Sequence, residues 1–344
     1  MTTITRHFGL DLARFLAALI VAMGHLLFAQ SLIREWSLQQ YFLVPFQFGS
    51  LSVSFFFCLS GFVLSPQIPS IKFDPKTWTL ARIVRLMPLY YFCWLVPMVF
   101  FVLLAQRNGG PILPDGLRSA ILGLTASQSW TSAYLDMPNP PLWSLSVELW
   151  LSILLVLLAV LVGNRKHIII LSLLSLFISI FFPELLNPVT GSIYLFLLGI
   201  VLNNSLIHKL VKFLYFRIFL GIVALTTFFP LYLQVTGVTP HRFYILFVAV
   251  FTCSIVLFFS SLNLSSRLKA FSHFLGARTY SLYAIHYPIL IFISLGAKDA
   301  MPKNPFIYIL FTSFIIILAT ELTYRFIERP SLDLSRKIRL KFRS

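Results

Sequence analysis

Ten apolar runs follow one another along this chain, each long enough or nearly long enough to cross a bilayer. They lie near residues 8–30, 42–64, 84–105, 143–163, 167–183, 190–206, 216–234, 243–262, 279–297 and 305–327. The runs are continuous and do not alternate, so they read as helices and not as barrel strands. The chain is 58% hydrophobic and 11% charged, where a soluble domain carries about 25% charge. The expected fold is therefore all-α: a polytopic helical membrane protein of about ten transmembrane helices. It reads as a single membrane-embedded domain over 1–344, with 330–344 as a basic cytoplasmic tail.

The net charge of +16 could be taken for a nucleic-acid footprint. Basic residues crowd the cytoplasmic loops of membrane proteins, and that explains the excess without nucleic acid. With the N-terminus inside and ten spans, 21 of the 27 Lys and Arg fall on the inner side and six on the outer. Both termini are therefore expected in the cytoplasm. The tail from Arg336 to Arg343 then lies at the inner surface, suited to anionic lipid. Cys58, Cys93 and Cys253 all sit in apolar segments, without metal-ligand spacing; they read as reduced packing residues. Arg6, His7 and the run to Ala29 imitate a signal peptide, but Asp11 and Arg14 interrupt it, and a retained first helix is expected. The one sizeable loop, 106–142, is rich in Gly and Pro turn signals, and its Leu117–Trp130 stretch could lie in the interface as a short amphipathic helix.

Against this apolar background the ionisable residues stand out, because charge in a bilayer is costly and marks functional pathways. Arg14 and His25 share the first run. Eleven residues make three helical turns plus about 20°, so both project from one face, roughly 16 Å apart along the axis. Asp11 lies one turn before Arg14 and can pair with it. Arg82 and Arg85 open the third run on the cytoplasmic side, at the expected level of Arg14, where guanidinium groups suit phosphate. Glu148, within Trp143–Trp150, is expected in the outer half at the depth of His25, where a carboxylate would orient an imidazole base. Ser60-Gly61 ends the second run, and Gly61 permits close backbone approach. Tyr283 and His286 lie in the motif Tyr280-Ser281-Leu282-Tyr283-Ala284-Ile285-His286 at the start of the ninth run, with His286 expected in the inner half. Each has a bland reading: helix–helix hydrogen bonding for His25 and His286, snorkelling for the arginines, and a packing notch for Ser60-Gly61. Glu148 is harder to dismiss, since a carboxylate within a span needs a partner.

Taken together, Phe8–Leu19 with His25, Phe56–Phe62, Arg82–Tyr90, Trp143–Glu148, Tyr280–His286 and Glu328-Arg329-Pro330 resemble the motifs of acyltransferase family 3, in the family's order and over essentially the whole chain. Ala13 and Phe15 depart from residues common beside the first-run Arg. The resemblance implies a multi-pass enzyme of the bacterial inner membrane, here a stand-alone member without the esterase-like domain that some members carry. It implies transfer of an acyl group, usually acetyl, from cytoplasmic acyl-CoA to a hydroxyl of a surface or lipid-linked glycan. By the family's pattern His25 is the catalytic residue and Arg14 is essential. The full expected site is then His25 and Glu148 for catalysis, and Arg14, Arg82, Arg85, Ser60 and Gly61 for the donor. Asp11, Tyr283 and His286 support them. No metal and no resident cofactor are expected; acyl-CoA is a substrate. The rival readings are a transporter or flippase using Arg14, His25 and Glu148 as a relay, and a non-catalytic component of a polysaccharide-assembly complex.

Overall fold

The structure, a computed structural model, describes residues 7–33, 49–108, 116–131, 138–162, 164–235, 241–296, 300–302 and 304–341. Residues 42–48 of the expected second span, and the turn signals at 109–115, lie outside the described residues. Among the described residues all regular structure is helical: α1 Phe8–Ile33, α2 Gly49–Leu64, α3 Ile68–Phe73, α4 Pro75–Asn108, α5 Gly116–Leu124, α6 Trp143–Leu157, α7 Arg165–Phe181, α8 Ile193–Leu202, α9 Ser205–Leu210, α10 Leu214–Val235, α11 His241–Ser260, α12 Ser266–Ile291, α13 Pro305–Thr323 and α14 Arg329–Lys341. Single π-helical turns extend α6 (Leu158–Val162), α12 (Phe292–Gly296) and α13 (Tyr324–Glu328).

Each of the ten expected runs falls on a helix. Five stretches are long and apolar enough to span: Phe8–Leu27, Gly49–Phe73, Pro75–Leu103, Pro140–Val162 and Phe306–Leu340. Lys166–Phe181, Thr190–Leu202, Leu214–Phe228 and Tyr244–Ser260 are shorter apolar helices. The ninth run falls on α12, which belongs to neither set; it begins well before residue 279, with the polar Arg267, Lys269 and His273 in its opening turns. The protein is an all-α polytopic membrane protein. Side-chain caps mark the helix starts the sequence leaves exposed: Asn164, Asn204 and Asn304 each accept from a backbone N–H two residues on, and Pro305 follows the last as the first helical residue.

The chain divides into two compact units. The first comprises Met1–Ala17, Ser50–Pro75 and Leu151–Ala277. Its closest packing is glycine-mediated. The carbonyl of Phe196 on α8 occupies the space a Cβ at Gly61 would need, and the carbonyl of Cys58 on α2 does the same at Gly199. Small residues let helix backbones approach in this way where lipid offers no hydrophobic drive to association. Asp11 packs its side chain onto Gly276 and is buried. At one end of the unit, Asn203 donates to the Phe62 carbonyl and accepts from His208 Nε2. His7 Nδ1 donates to the Ser260 carbonyl, with its ring near-parallel to that of His208.

The second unit comprises Ala18–Gly49, Lys76–Trp150 and Arg278–Ser344. Prolines dictate part of its architecture. Pro97 removes the N–H that would bond the Cys93 carbonyl in α4, and Pro288 does the same for Ala284 in α12. The buried Asn139 Nδ2 donates to both freed carbonyls, at 2.9 and 3.0 Å, so one amide satisfies two proline-broken helices at once. The stretch expected as a short amphipathic helix forms α5, followed by a 3-10 turn at Gln128–Trp130. Tyr90 donates to Gln128, Ser129 bonds Ser146 at 2.6 Å, and Ser146 and Trp150 both donate to the carbonyl of Ala126. The basic tail is also ordered against the unit: α14 is amphipathic, and its buried Ser335 donates to the Ala81 carbonyl of α4 at 2.7 Å.

Candidate active site

Of the residues marked out by sequence, Asp11, Arg14, Ser60 and Gly61 belong to the first unit, and His25, Arg82, Arg85, Glu148, Tyr283 and His286 to the second. In the first unit Gly61 has a packing role against α8; its close backbone approach is to a helix carbonyl, which favours the notch reading of Ser60-Gly61. Arg14 is half-buried on α1.

In the second unit two pairs form. His25 Nδ1 lies 2.9 Å from His286 Nε2, and His286 Nδ1 lies 3.2 Å from the Leu282 carbonyl. A carbonyl only accepts, so the neutral His286 carries its proton on Nδ1 and offers a lone pair at Nε2. His25 must then donate from Nδ1, which leaves the lone pair of His25 on Nε2. The rings are within 6° of parallel with centroids 5.2 Å apart. Together with the short N–N distance, that spacing is an edge-to-edge hydrogen bond and not a face stack. His286 is fully buried, and Tyr287 sets its ring edge-on to His25 at 5.3 Å. Tyr283 accepts from Ser144 at 2.8 Å and donates to the Pro141 carbonyl, tying α12 to the start of α6. Its ring also meets that of His286 at 5.8 Å.

The second pair is Arg82 and Glu148, whose NH2 and Oε1 lie 2.6 Å apart. Arg82 is buried and Glu148 half-buried. This corrects the sequence reading in two respects. Glu148 was expected beside His25 and Arg82 at a different, cytoplasmic level, yet the carboxylate engages Arg82, and the partner of His25 is His286. The reason lies in where the helices begin. A 3-10 turn at Pro140–Leu142 precedes α6, and Asn139, Pro141 and Leu142 are already buried there, so α6 starts against protein and not at a surface. Arg82 lies seven residues into α4, roughly 10 Å along it. His286 likewise lies twenty residues into α12, roughly 30 Å along, which brings it level with His25 despite its expected inner position.

Sequence reasoning missed Asn139 as an organiser and Glu328 as a buried acid. Glu328 Oε2 accepts from the Ser281 N–H at 3.1 Å and from its hydroxyl at 2.5 Å. The π-turn at Tyr324–Glu328 adds a residue to the helix and rotates this carboxylate inward. The signal available was a carboxylate after a long apolar run, in Glu328-Arg329-Pro330. On its exposed flank, Glu321 bridges Arg278 and Arg325, both at 2.5 Å.

A half-buried imidazole with a defined tautomer, held by a fully buried second imidazole, can accept a proton at Nε2 from a hydroxyl. The chain is 26% identical over 326 residues to "O-acetyltransferase OatA" of Staphylococcus aureus (strain NCTC 8325 / PS 47), an alignment covering 82% of this chain and 52% of that protein. It is 26% identical over 370 residues to "Putative peptidoglycan O-acetyltransferase YrhL" of Bacillus subtilis (strain 168), covering 94% of this chain and 54% of that one. The chain thus spans about half the length of the curated relatives it matches. No solved structure matches. The family described as an acyltransferase domain, acyltransferase family 3, matches residues 7–324, nearly the whole chain, and the chain belongs to that family.

Proposed function

We propose that this chain is a membrane O-acetyltransferase that moves an acetyl group from acetyl-CoA to a glycan hydroxyl, with His25 Nε2 as the general base. The observation that carries the reading is the relay from the Leu282 carbonyl through His286 to His25, which leaves the base's lone pair on a defined atom. The acceptor O–H gives its proton to His25 Nε2 as its oxygen attacks the thioester carbonyl. The tetrahedral intermediate expels the thiolate, which takes the proton back from the imidazolium to give the free thiol of CoA. His286 stabilises the imidazolium by accepting from Nδ1 and fixes the tautomer beforehand. It takes the place given to Glu148 by sequence; Glu148 instead holds Arg82. The names of the Staphylococcus and Bacillus relatives support the acetyl group, and that of the latter makes peptidoglycan the first acceptor to try.

The test is thiol release from acetyl-CoA, and acetylation of added glycan, in matched membranes. His25→Ala should lower turnover on the order of a hundred- to ten-thousand-fold with expression unchanged. Near-wild-type turnover in this variant would overturn the assignment. Glycan movement across the membrane without thiol release would favour a flippase instead.

A further inference from the structure

In the first unit, the segment that joins α9 to α10 gathers three cations in an acid-free part of the chain. Between Glu184 and Asp299 there is no acidic residue. Lys209 lies on α9, and the Lys212 N–H bonds the Lys209 carbonyl at 3.2 Å. In the first turn of α10 the Arg217 N–H bonds the Phe213 carbonyl, also at 3.2 Å. Two consecutive tight turns thus hold Lys209, Lys212 and Arg217 close together. Both lysines are exposed, whereas Arg217 is half-buried. Its Nε is buried outright and has no hydrogen-bond partner in the protein, and among the described residues no carboxylate pairs with it. Leaving a buried donor unsatisfied is costly, the more so on a charged group, and such a donor in a native fold calls for an explanation. Around it Phe213, Tyr215 and Phe219 are exposed, on a helix that is apolar from Leu214 to Phe228. Aromatic rings beside lysines at the end of an apolar helix mark the level of lipid head groups.

We propose that Arg217, with Lys212 and Lys209, binds the head group of an anionic phospholipid whose acyl chains lie along the exposed rings at the start of α10. The Nε–H and a terminal N–H of a guanidinium form the planar fork that grips a phosphate. The two ammonium groups answer the net negative charge that separates an anionic lipid from a zwitterionic one. The rings select a lipid over a water-soluble phosphate, which gains nothing from Phe213 or Phe219. Lipid binding here requires nothing of the acetyl-transfer reading.

The test is binding of short-chain phosphatidylglycerol and short-chain phosphatidylcholine to the full chain, delipidated in an uncharged detergent. Wild type should bind the anionic lipid more tightly than the zwitterionic one. Arg217→Gln should weaken phosphatidylglycerol roughly tenfold or more, as expected for losing hydrogen bonds to a charged group. Lys209→Gln combined with Lys212→Gln should bring phosphatidylglycerol down to the level of phosphatidylcholine, at about fivefold per lysine. Should Arg217→Gln fail to fold, Arg217→Lys carries the test: it keeps the positive charge and loses the Nε–H, so it should bind phosphatidylglycerol less well than wild type. Equal affinity of wild type and a folded Arg217 variant for phosphatidylglycerol overturns the site. Equal affinity of wild type for the two lipids overturns it as well, because the contact is then only that of any interfacial helix. If CoA displaces phosphatidylglycerol, and Arg217→Gln weakens CoA to the same extent, the cations serve a nucleotide and the lipid proposal falls.

Discussion

His286 shows how a single nitrogen's proton propagates. Its Nδ1 is committed to a carbonyl, so its Nε2 can only accept, and His25 has one tautomer left. His286→Gln can still offer an amide oxygen to His25 Nδ1, whereas His286→Ala cannot. The glutamine variant should therefore retain more turnover than the alanine variant, with the difference in kcat and not in KM for the acceptor. The acidic limb of the pH–rate profile should also move in both. Measuring kcat, KM and that profile for the three proteins tests the positioning role. A second imidazole reports on stability. Burial first, then the neighbouring His7 and Lys212, lower the His208 pKa from its ordinary value. The unfolded chain then binds more protons than the folded one below the ordinary histidine pKa of about 6.5. Stability from this group is complete above that pH and is lost as pH falls toward the lowered value. His208→Gln should flatten the decline of the thermal midpoint between roughly pH 7 and pH 5. An unchanged slope would refute the account.

Helices and their breaks explain most of what the sequence did and did not disclose. The apolar runs each fell on a helix, because a bilayer demands length and continuity in one stretch of chain. Pro97 and Pro288 were visible as breaks, but the group that repairs them was not. Asn139 is 46 residues from one freed carbonyl and 145 from the other, and no local pattern links them. The partner of Glu148 was misjudged for a related reason: helix α6 starts inside the fold, and a turn that enters protein looks in sequence like one that enters membrane. His25 and Arg82 stood out as candidates because each is ionisable in an apolar context, while their partners depended on helix offsets. Asn139→Leu should leave two buried carbonyls without donors and cost roughly 2–6 kcal/mol. Thermal unfolding in detergent measures this. A loss under about 1 kcal/mol would mean that the carbonyls find other donors.

For the molecule as a whole, the distribution of charge predicts orientation. Reporter fusions at Asp115, Lys166 and the C-terminus should read outside, inside and inside, from the bias of 21 inner to six outer basic residues. An external C-terminus would invert every depth assigned above. The His25–His286 bond also bears on synthesis. Its two halves are 261 residues apart, the Ser335 bond to Ala81 spans 254, and a chain grows at about 5–20 residues per second. For a period of roughly 13–50 s the nascent first helix waits in the membrane with its imidazole unmatched, and the arginine-bearing turn lacks its last tether. The insertion machinery must shelter a titratable side chain throughout that interval, and the proposed base acquires its fixed tautomer only when translation is nearly finished.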